Sequence, residues 1–369
     1  MTHHHQRGAL LLVMLLILTA GALWALLPAT LPDGRLARAL ADRHLLAEGR
    51  DALMGHAALV ASHLGRGPGF LPCPDLDGDG RADPCDPDAG PPLGRLPWRD
   101  LGLPRWRDSH GQVPWYAVSG NLLPQTRPLN SDTDAYPWLS ADGKGPLGAV
   151  LIAPGAPWGA QGRPSNRPAA YLEGPNALPG TKEFFTLAEE EGEGNDKVMG
   201  LRREAVLEMA ERRALAEGRR QLTAYYLACG ELPWAAPFDP TASRLVAQPG
   251  SREGLLPEAD ATTAAYACNG DLARGWLRDE GWPKLLYYAA SPGRLPDGQG
   301  CDACLILTGG RRDIPALLVA AGVDLGGRRP SGTLTDYFEG ENATPGDATY
   351  ERRPPAMDFN DKVETVELQ

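Results

Sequence analysis

The stretch Tyr171-Leu172-Glu173-Gly174-Pro175-Asn176 recurs as Tyr337-Phe338-Glu339-Gly340-Glu341-Asn342. Working outward from it, Leu46-Ala47-Glu48-Gly49-Arg50 returns as Leu215-Ala216-Glu217-Gly218-Arg219, and Tyr116-Ala117-Val118-Ser119 loosely as Tyr288-Ala289-Ala290-Ser291. Arg163-Pro164-Ser165 returns as Arg329-Pro330-Ser331, and Asn195-Asp196-Lys197-Val198 as Asn360-Asp361-Lys362-Val363. Order is kept, and the offset stays between 165 and 172 residues. Chance matches do not hold both together, so the chain is a duplication.

Each copy opens on a helical pattern. Leu46, Leu53, Ala57, Val60 and Leu64 step around one face, and Leu215, Leu222, Tyr226 and Cys229 form the matching stripe. Short apolar runs follow at Trp115–Val118, Ala149–Ile152, Leu285–Ala289, Cys304–Leu307 and Ala316–Ala320, separated by turn-rich stretches. One helix followed by a small sheet, made twice, is an α+β arrangement. The expected units are residues 35–200 and 201–369.

Ala9 to Leu27 is a run of 19 apolar or small residues, and no charged side chain lies between Arg7 and Asp33. About 20 such residues cross a bilayer as a helix. The basic flank puts residues 1–8 in the cytoplasm and exports the rest. A plain anchor needs only this length, a cleaved signal could end at Ala20-Gly21-Ala22, and a prepilin-type segment needs the glycine that Gly8 supplies. Pro28, Pro32 and Gly34 should loosen the chain after the span. The net charge of −11 and pI of about 5.2 argue against a nucleic-acid partner. Six cysteines in an exported chain suggest disulfides.

The sharpest chemical motif is Asp75-Leu76-Asp77-Gly78-Asp79-Gly80-Arg81-Ala82-Asp83-Pro84-Cys85-Asp86. Numbered as an EF-hand-type loop, Asp75, Asp77, Asp79, Asp83 and Asp86 take positions 1, 3, 5, 9 and 12. Gly80 stands at the turn, and the Arg81 carbonyl is the seventh-position ligand. Hard oxygen donors in this number suit Ca²⁺. Position 12 is Asp rather than the longer Glu, and no helix pattern follows the loop. The alternative is an acidic turn closed by Cys73–Cys85, which could coexist with the ion. Asn130-Ser131-Asp132-Thr133-Asp134 is a second, weaker acidic turn. Copy two lacks the twelve-residue motif.

Cys301-Asp302-Ala303-Cys304 precedes a strand-like run rather than opening a helix, which favours a structural disulfide over redox work. Cys229 and Cys268 are left as a third pair. The seven histidines all precede residue 111, so His-dependent chemistry could draw only on His44, His56, His63 or His110 beyond the tip cluster His3–His5. Solvated or packed helix positions explain them better. No GxSxG elbow, P-loop or dinucleotide fingerprint occurs. The repeated acids Glu173 and Glu339, with Asn176, Asn342, Asp196 and Asp361 nearby, leave a glycosidase-like carboxylate pair as an alternative. Loop-forming hydrogen bonds explain their retention more simply.

Gln6-Arg7-Gly8-Ala9-Leu10-Leu11-Leu12-Val13 resembles the start of type IV pilin-like proteins, and more closely of the large minor pseudopilins of type II secretion systems. The resemblance implies prepilin peptidase cutting between Gly8 and Ala9. Major pilins carry glutamate at the fifth mature position, where this chain has Val13; the largest minor pseudopilin also lacks it and sits at the filament tip. Leu71-Pro72-Cys73-Pro74-Asp75, Leu96-Pro97-Trp98 and Leu101-Gly102-Leu103 resemble segments of a group of pilin-like proteins. Asp108 to Val118 resembles the Asp-x-Trp-Gly-…-Tyr segment of pseudopilin β-regions, with His110 where an aromatic residue is usual and Trp282 holding that place in copy two. The resemblance implies pilin-like units, each a helix on a small antiparallel sheet with long Gly/Pro-rich loops. It also implies a periplasmic bulk anchored in the bacterial inner membrane, and other pilins or pseudopilins as partners. An anchored calcium-dependent binding module, or a hydrolase using Glu173 and Glu339, is the alternative. The duplication is not typical of a pilin.

Overall fold

The computed structural model describes residues 34–104, 106–126, 128–188, 191–259, 268 and 272–368, without the side chains of 60–64. The apolar run Ala9–Leu27 and the processing pair Gly8 and Ala9 lie outside the described residues. Among the described residues no helix is long and apolar enough to cross a membrane.

Repeat 1 begins with helix α1 (Gly34–Leu64) and continues through β1 (Leu93–Arg95), β2 (Trp115–Val118), β3 (Leu139–Ala141), β4 (Lys144–Ala153), β5 (Glu183–Phe184) and β6 (Lys197–Arg202). Helix α2 (Arg203–Cys229) follows β6 without a linker and opens repeat 2. Then come β7 (Glu253–Leu255), the short α3 (Trp276–Asp279), β8 (Leu286–Ala290), β9 (Ile306–Leu307), β10 (Ala316–Ala320), β11 (Thr349–Tyr350) and β12 (Lys362–Val366).

Both repeats build the same antiparallel meander, β1-β2-β4-β6 in one and β7-β8-β10-β12 in the other. The registers match residue for residue: Tyr116 faces Leu151 as Tyr288 faces Leu318, and Ile152 faces Val198 as Val319 faces Val363. Repeat 1 extends its sheet with β3 and β5, and the β3–β5 contact is parallel, as is β9–β11 in repeat 2.

The central strands read as continuous apolar runs because both of their faces are covered. The helix covers one face. Leu46, Leu53 and Ala57 of α1 pack with Tyr116, Val118 and Leu151, and Leu215 and Leu222 of α2 pack with Tyr288 and Leu318. The irregular connection between the last two meander strands covers the other face, placing Tyr171 and Leu172 on Trp115 and Ile152, and Tyr337 and Phe338 on Tyr287 and Val319. Each repeat is therefore helix, sheet and loop in three layers.

The repeated Leu-Ala-Glu-Gly-Arg has a packing reason. A Cβ on Gly49 would stand 2.6 Å from Trp106 and 3.1 Å from Leu151, and one on Gly218 would stand 2.9 Å from Leu318. Leu151 and Leu318 are equivalent positions, so the same bare backbone lets each helix press onto the same point of its sheet. The repeated tyrosine has a reason too. The Tyr116 hydroxyl donates to the Pro72 carbonyl at 3.0 Å, and that of Tyr288 to Pro233 at 3.1 Å. Burial pushes both phenols far above their ordinary pKa.

Two strand expectations shift. Trp282–Leu285, with Pro283 in its first turn, forms a 3-10 turn, so the strand starts at Leu286. The run Cys304–Leu307 yields only Ile306–Leu307, with Leu305 bridging Ile314 alone. The pairs Cys73–Cys85, Cys229–Cys268 and Cys301–Cys304 are disulfides, so Cys229 closes a bridge at the end of α2 beside the Gly230 cap.

The two repeats are joined by polar bonds and by Val206 and Leu207 of α2, which sit in the core of repeat 1, so one substitution in either core should lower the stability of both. We expect Leu53→Ala and Leu222→Ala each to cost about 2–5 kcal/mol, read as a shift of one chemical unfolding transition. Two separable transitions would show that the repeats unfold independently.

Candidate functional site

The acidic loop leaves the core after Pro72 and returns at Cys85, with the Cys73–Cys85 bridge closing its neck. Asp75 is buried at its base and receives the backbone N–H of Gly78 at 2.6 Å and of Gly80 at 2.8 Å. Asp83 takes those of Leu76 and Asp77 at 2.6 and 3.2 Å. Asp77 and Asp79 each accept from the residue two further on. The result gathers carboxylate oxygens of Asp75, Asp77 and Asp83 within 4.8 Å of one another. Burial raises the Asp75 pKa, against the lowering pull of the two N–H groups and Arg95. A hard cation relieves such mutual repulsion, so these three could hold a metal.

The other expected ligands are placed differently. Asp79 stands outside this cluster. Asp86, beyond the disulfide, caps the 3-10 turn Pro87–Ala89 by accepting from Asp88 N at 2.9 Å, so the twelve-residue EF-hand pattern is not closed at its last position. The Arg81 side chain reaches Asp100 at 3.5 Å.

Arg95 ties this loop to the layer beneath. Its backbone bridges to Asp75. Its guanidinium donates to Asn166 Oδ1 at 3.0 Å and to the Ser165 carbonyl, and lies 5.4 Å from the ring centroids of both Trp115 and Tyr171. Asn166 in turn donates to the Asp77 carbonyl at 3.2 Å. Beside them lies a cleft of about 460 Å³ lined by Asp77, Arg95, Arg107, Gln112 and Tyr171. By register, Leu255 occupies the Arg95 position in repeat 2.

The repeated loop residues form one hydrogen-bond network made twice. The Asp196 Oδ2 accepts from Glu173 N and Asn176 Nδ2, both at 3.0 Å, and Asp361 Oδ2 accepts from Glu339 N at 2.9 Å and Asn342 Nδ2 at 3.0 Å. Asn176 exchanges two bonds with the Phe185 backbone, as Asn342 does with that of Glu351. Arg163 donates to the carbonyls of Gly155, Ala170 and Tyr171, and Arg329 to those of Gly322, Asp336 and Tyr337. Each guanidinium also lies over its tyrosine ring, at 4.7 and 4.8 Å. Both arginines precede a cis proline, Pro164 and Pro330. Glu173 and Glu339 thus sit in different repeats, each held against an aspartate of its own.

The lysine that follows each aspartate recurs in the repeated motif but has no role legible there, and it has a definite partner. Lys197 reaches the buried Asp42 of α1 at 3.1 Å, and Lys362 pairs with the buried Glu211 of α2. Only the matching offset of Asp42 and Glu211 in the two helix stripes could have signalled it. Ser109 completes the first pair, donating from its N–H at 2.7 Å and its hydroxyl at 3.0 Å. Ser131 of repeat 1 donates to Glu211 at 2.5 Å, across the interface. The second acidic turn is that interface. Asn130 donates to the Glu280 carbonyl at 2.8 Å, Leu129 N to the Glu280 carboxylate at 2.9 Å, and Asp132 pairs with Arg329 at 3.2 Å. His56, on α1, has its pKa lowered by burial.

Arg163→Ala would strip the donors from three carbonyls at once. At roughly 1–3 kcal/mol per unsatisfied buried acceptor, it should lower stability by several kcal/mol in chemical denaturation. Arg163→Lys should recover only part of that, because an ammonium lacks the planar fork. A loss under about 1 kcal/mol would show that water takes over the carbonyls. Compared with protein-family models, with curated proteins and with solved structures, the chain matches none, so what the site does has to be read from its own residues.

Proposed function

We propose that this chain is a membrane-anchored, non-enzymatic, pilin-like or pseudopilin-like protein, acting in assembly or at the tip of a type IV pilus or a type II secretion pseudopilus. Ala9–Leu27 holds it in the bacterial inner membrane after prepilin peptidase cuts at Gly8, and the two α+β units stand in the periplasm. The observation that carries this reading is the unit itself: a long helix on a four-stranded antiparallel meander, occurring twice in one register. Three disulfides accord with an oxidising compartment. Other pilins or pseudopilins are the partners, met through surface loops. The paired repeat carboxylates serve in loop networks rather than flanking a substrate.

Calcium in this reading is held by Asp75, Asp77 and Asp83, where it stiffens a loop already clamped by Cys73–Cys85 and Arg95. The cleft beside that loop favours a second reading, an anchored binding module in which calcium shapes one wall of a ligand groove.

Mass spectrometry of the membrane-bound protein, from cells with and without prepilin peptidase, separates the readings. A mature start at Ala9 that depends on the peptidase is expected. An intact Met1 or Thr2 in both strains would sink the filament role. For the metal, saturating Ca²⁺ should stabilise the chelated protein by about 2.7 kcal/mol at a hundredfold excess over Kd, seen as a rise in thermal midpoint. Asp77→Asn combined with Asp83→Asn should abolish the rise, and an equal rise in that variant would place the ion elsewhere.

A further inference from the structure

The loop networks hold a feature that loop-fixing alone does not require. In repeat 1, Asp196 is fully buried and Glu173 nearly so. Asp196 Oδ2 has its two donors, but among the described residues Oδ1 is enclosed with no hydrogen-bond partner. Glu173 is supplied at both oxygens, Oε2 by Asn195 N at 3.0 Å and Oε1 by Gln161 Nε2 at 2.7 Å. Repeat 2 has the same aspartate, buried in the same way, against a half-buried Glu339. Asp361 Oδ2 is bonded, Asp361 Oδ1 is enclosed without a partner among the described residues, and Glu339 Oε2 takes Asn360 N at 3.1 Å.

In both repeats the two carboxyls are held on the same short stretches of backbone: the glutamate's own N–H donates to the aspartate, and the N–H of the residue before that aspartate donates back to the glutamate carboxylate. Two ionised carboxylates in a buried contact repel and cannot both keep their charge. A proton on the bare aspartate oxygen removes the repulsion and converts an orphan acceptor into a donor to the glutamate. We propose that each repeat binds one proton, shared between Asp196 and Glu173 and between Asp361 and Glu339, which closes the loop layer over its sheet. The inference does not depend on the filament reading.

The surrounding charges leave the pair intact. Arg163 faces Glu173, Asp196 and Asp108, but its donors go to backbone carbonyls and Gln161. Lys197 turns away to Asp42, and Glu193 shares with Glu173 a separate open hollow lined also by Trp158 and Gln161. In repeat 2, Arg329 is held by carbonyls and Asp132, Lys362 by Glu211, and the Glu351 carboxylate lies near the Glu341 N–H at 3.4 Å. Burial first, and the facing glutamate second, push Asp196 up to about 8 and Asp361 well above its ordinary value.

The sign follows. Between the ordinary aspartate value of 3.8 and about 8, the native chain holds a proton that the unfolded chain has released. Stability contributed by the pair is complete below that window and is lost as pH rises through it. Each site steepens the growth of the unfolding constant by up to about tenfold per pH unit.

The test is infrared spectroscopy of the full chain across this range, beside the double variant Asp196→Asn/Asp361→Asn. The carboxamide offers the same donor with no proton to lose. We expect a protonated-carboxyl carbonyl band at pH 7 that fades above about pH 8 and loses two groups' intensity in the double variant, together with a flatter dependence of stability on pH. A band unchanged in the variant, or no such band in the folded wild type at pH 7, overturns the proposal. Should the double variant fail to fold, Glu173→Gln/Glu339→Gln provides the same comparison, and the wild-type spectrum alone keeps its power to refute.

Discussion

The arginine that precedes each cis proline is the constraint on which both repeats depend. A sheet with two apolar faces needs two covers, and here one of them is irregular chain. Irregular chain brings backbone carbonyls and N–H groups that have no ladder to join. Arg163 and Arg329 gather those carbonyls from one side, and Asn176, Asn342, Asp196 and Asp361 supply the matching donors and acceptors from the other. Only with these groups satisfied can Tyr171 and Tyr337 pack against the strands.

The two copies have since diverged around this shared plan. Repeat 1 adds an acidic loop and the arginine that anchors it, and repeat 2 has a leucine in that register. The helix acid differs as well. Asp42 is served within its own repeat, whereas the longer Glu211 reaches a serine of the neighbouring one. One structural position has thus been turned from internal support to a joint.

The duplication, the helix stripes and the main strands were legible because they depend on spacing and on runs of apolar residues. The strand Lys197–Arg202 was not, since its sequence is mixed and its place is set by pairing with β4. The turn at Asn130–Asp134 read as a weak cation site, and its groups face Glu280 and Arg329, some 150 and 197 residues away. Asp86 fitted a ligand position by count, but the disulfide and the following turn carry it to a capping role. For the strand and the turn the deciding partner lies outside any local window, whereas for Asp86 it is the 3-10 turn two residues on that competes with the ligand position.

Helix α2 starts at the residue after β6 ends. A junction of zero length makes the meeting of the two halves an intramolecular event, with an effective concentration far above any the cell could supply for separate chains. Their contact, the polar bonds at Asn130–Asp132 together with Val206 and Leu207 of α2 set in the core of repeat 1, therefore survives any dilution. The chain behaves as a permanent dimer of unequal halves, and the first half is never obliged to recognise a free copy of the second.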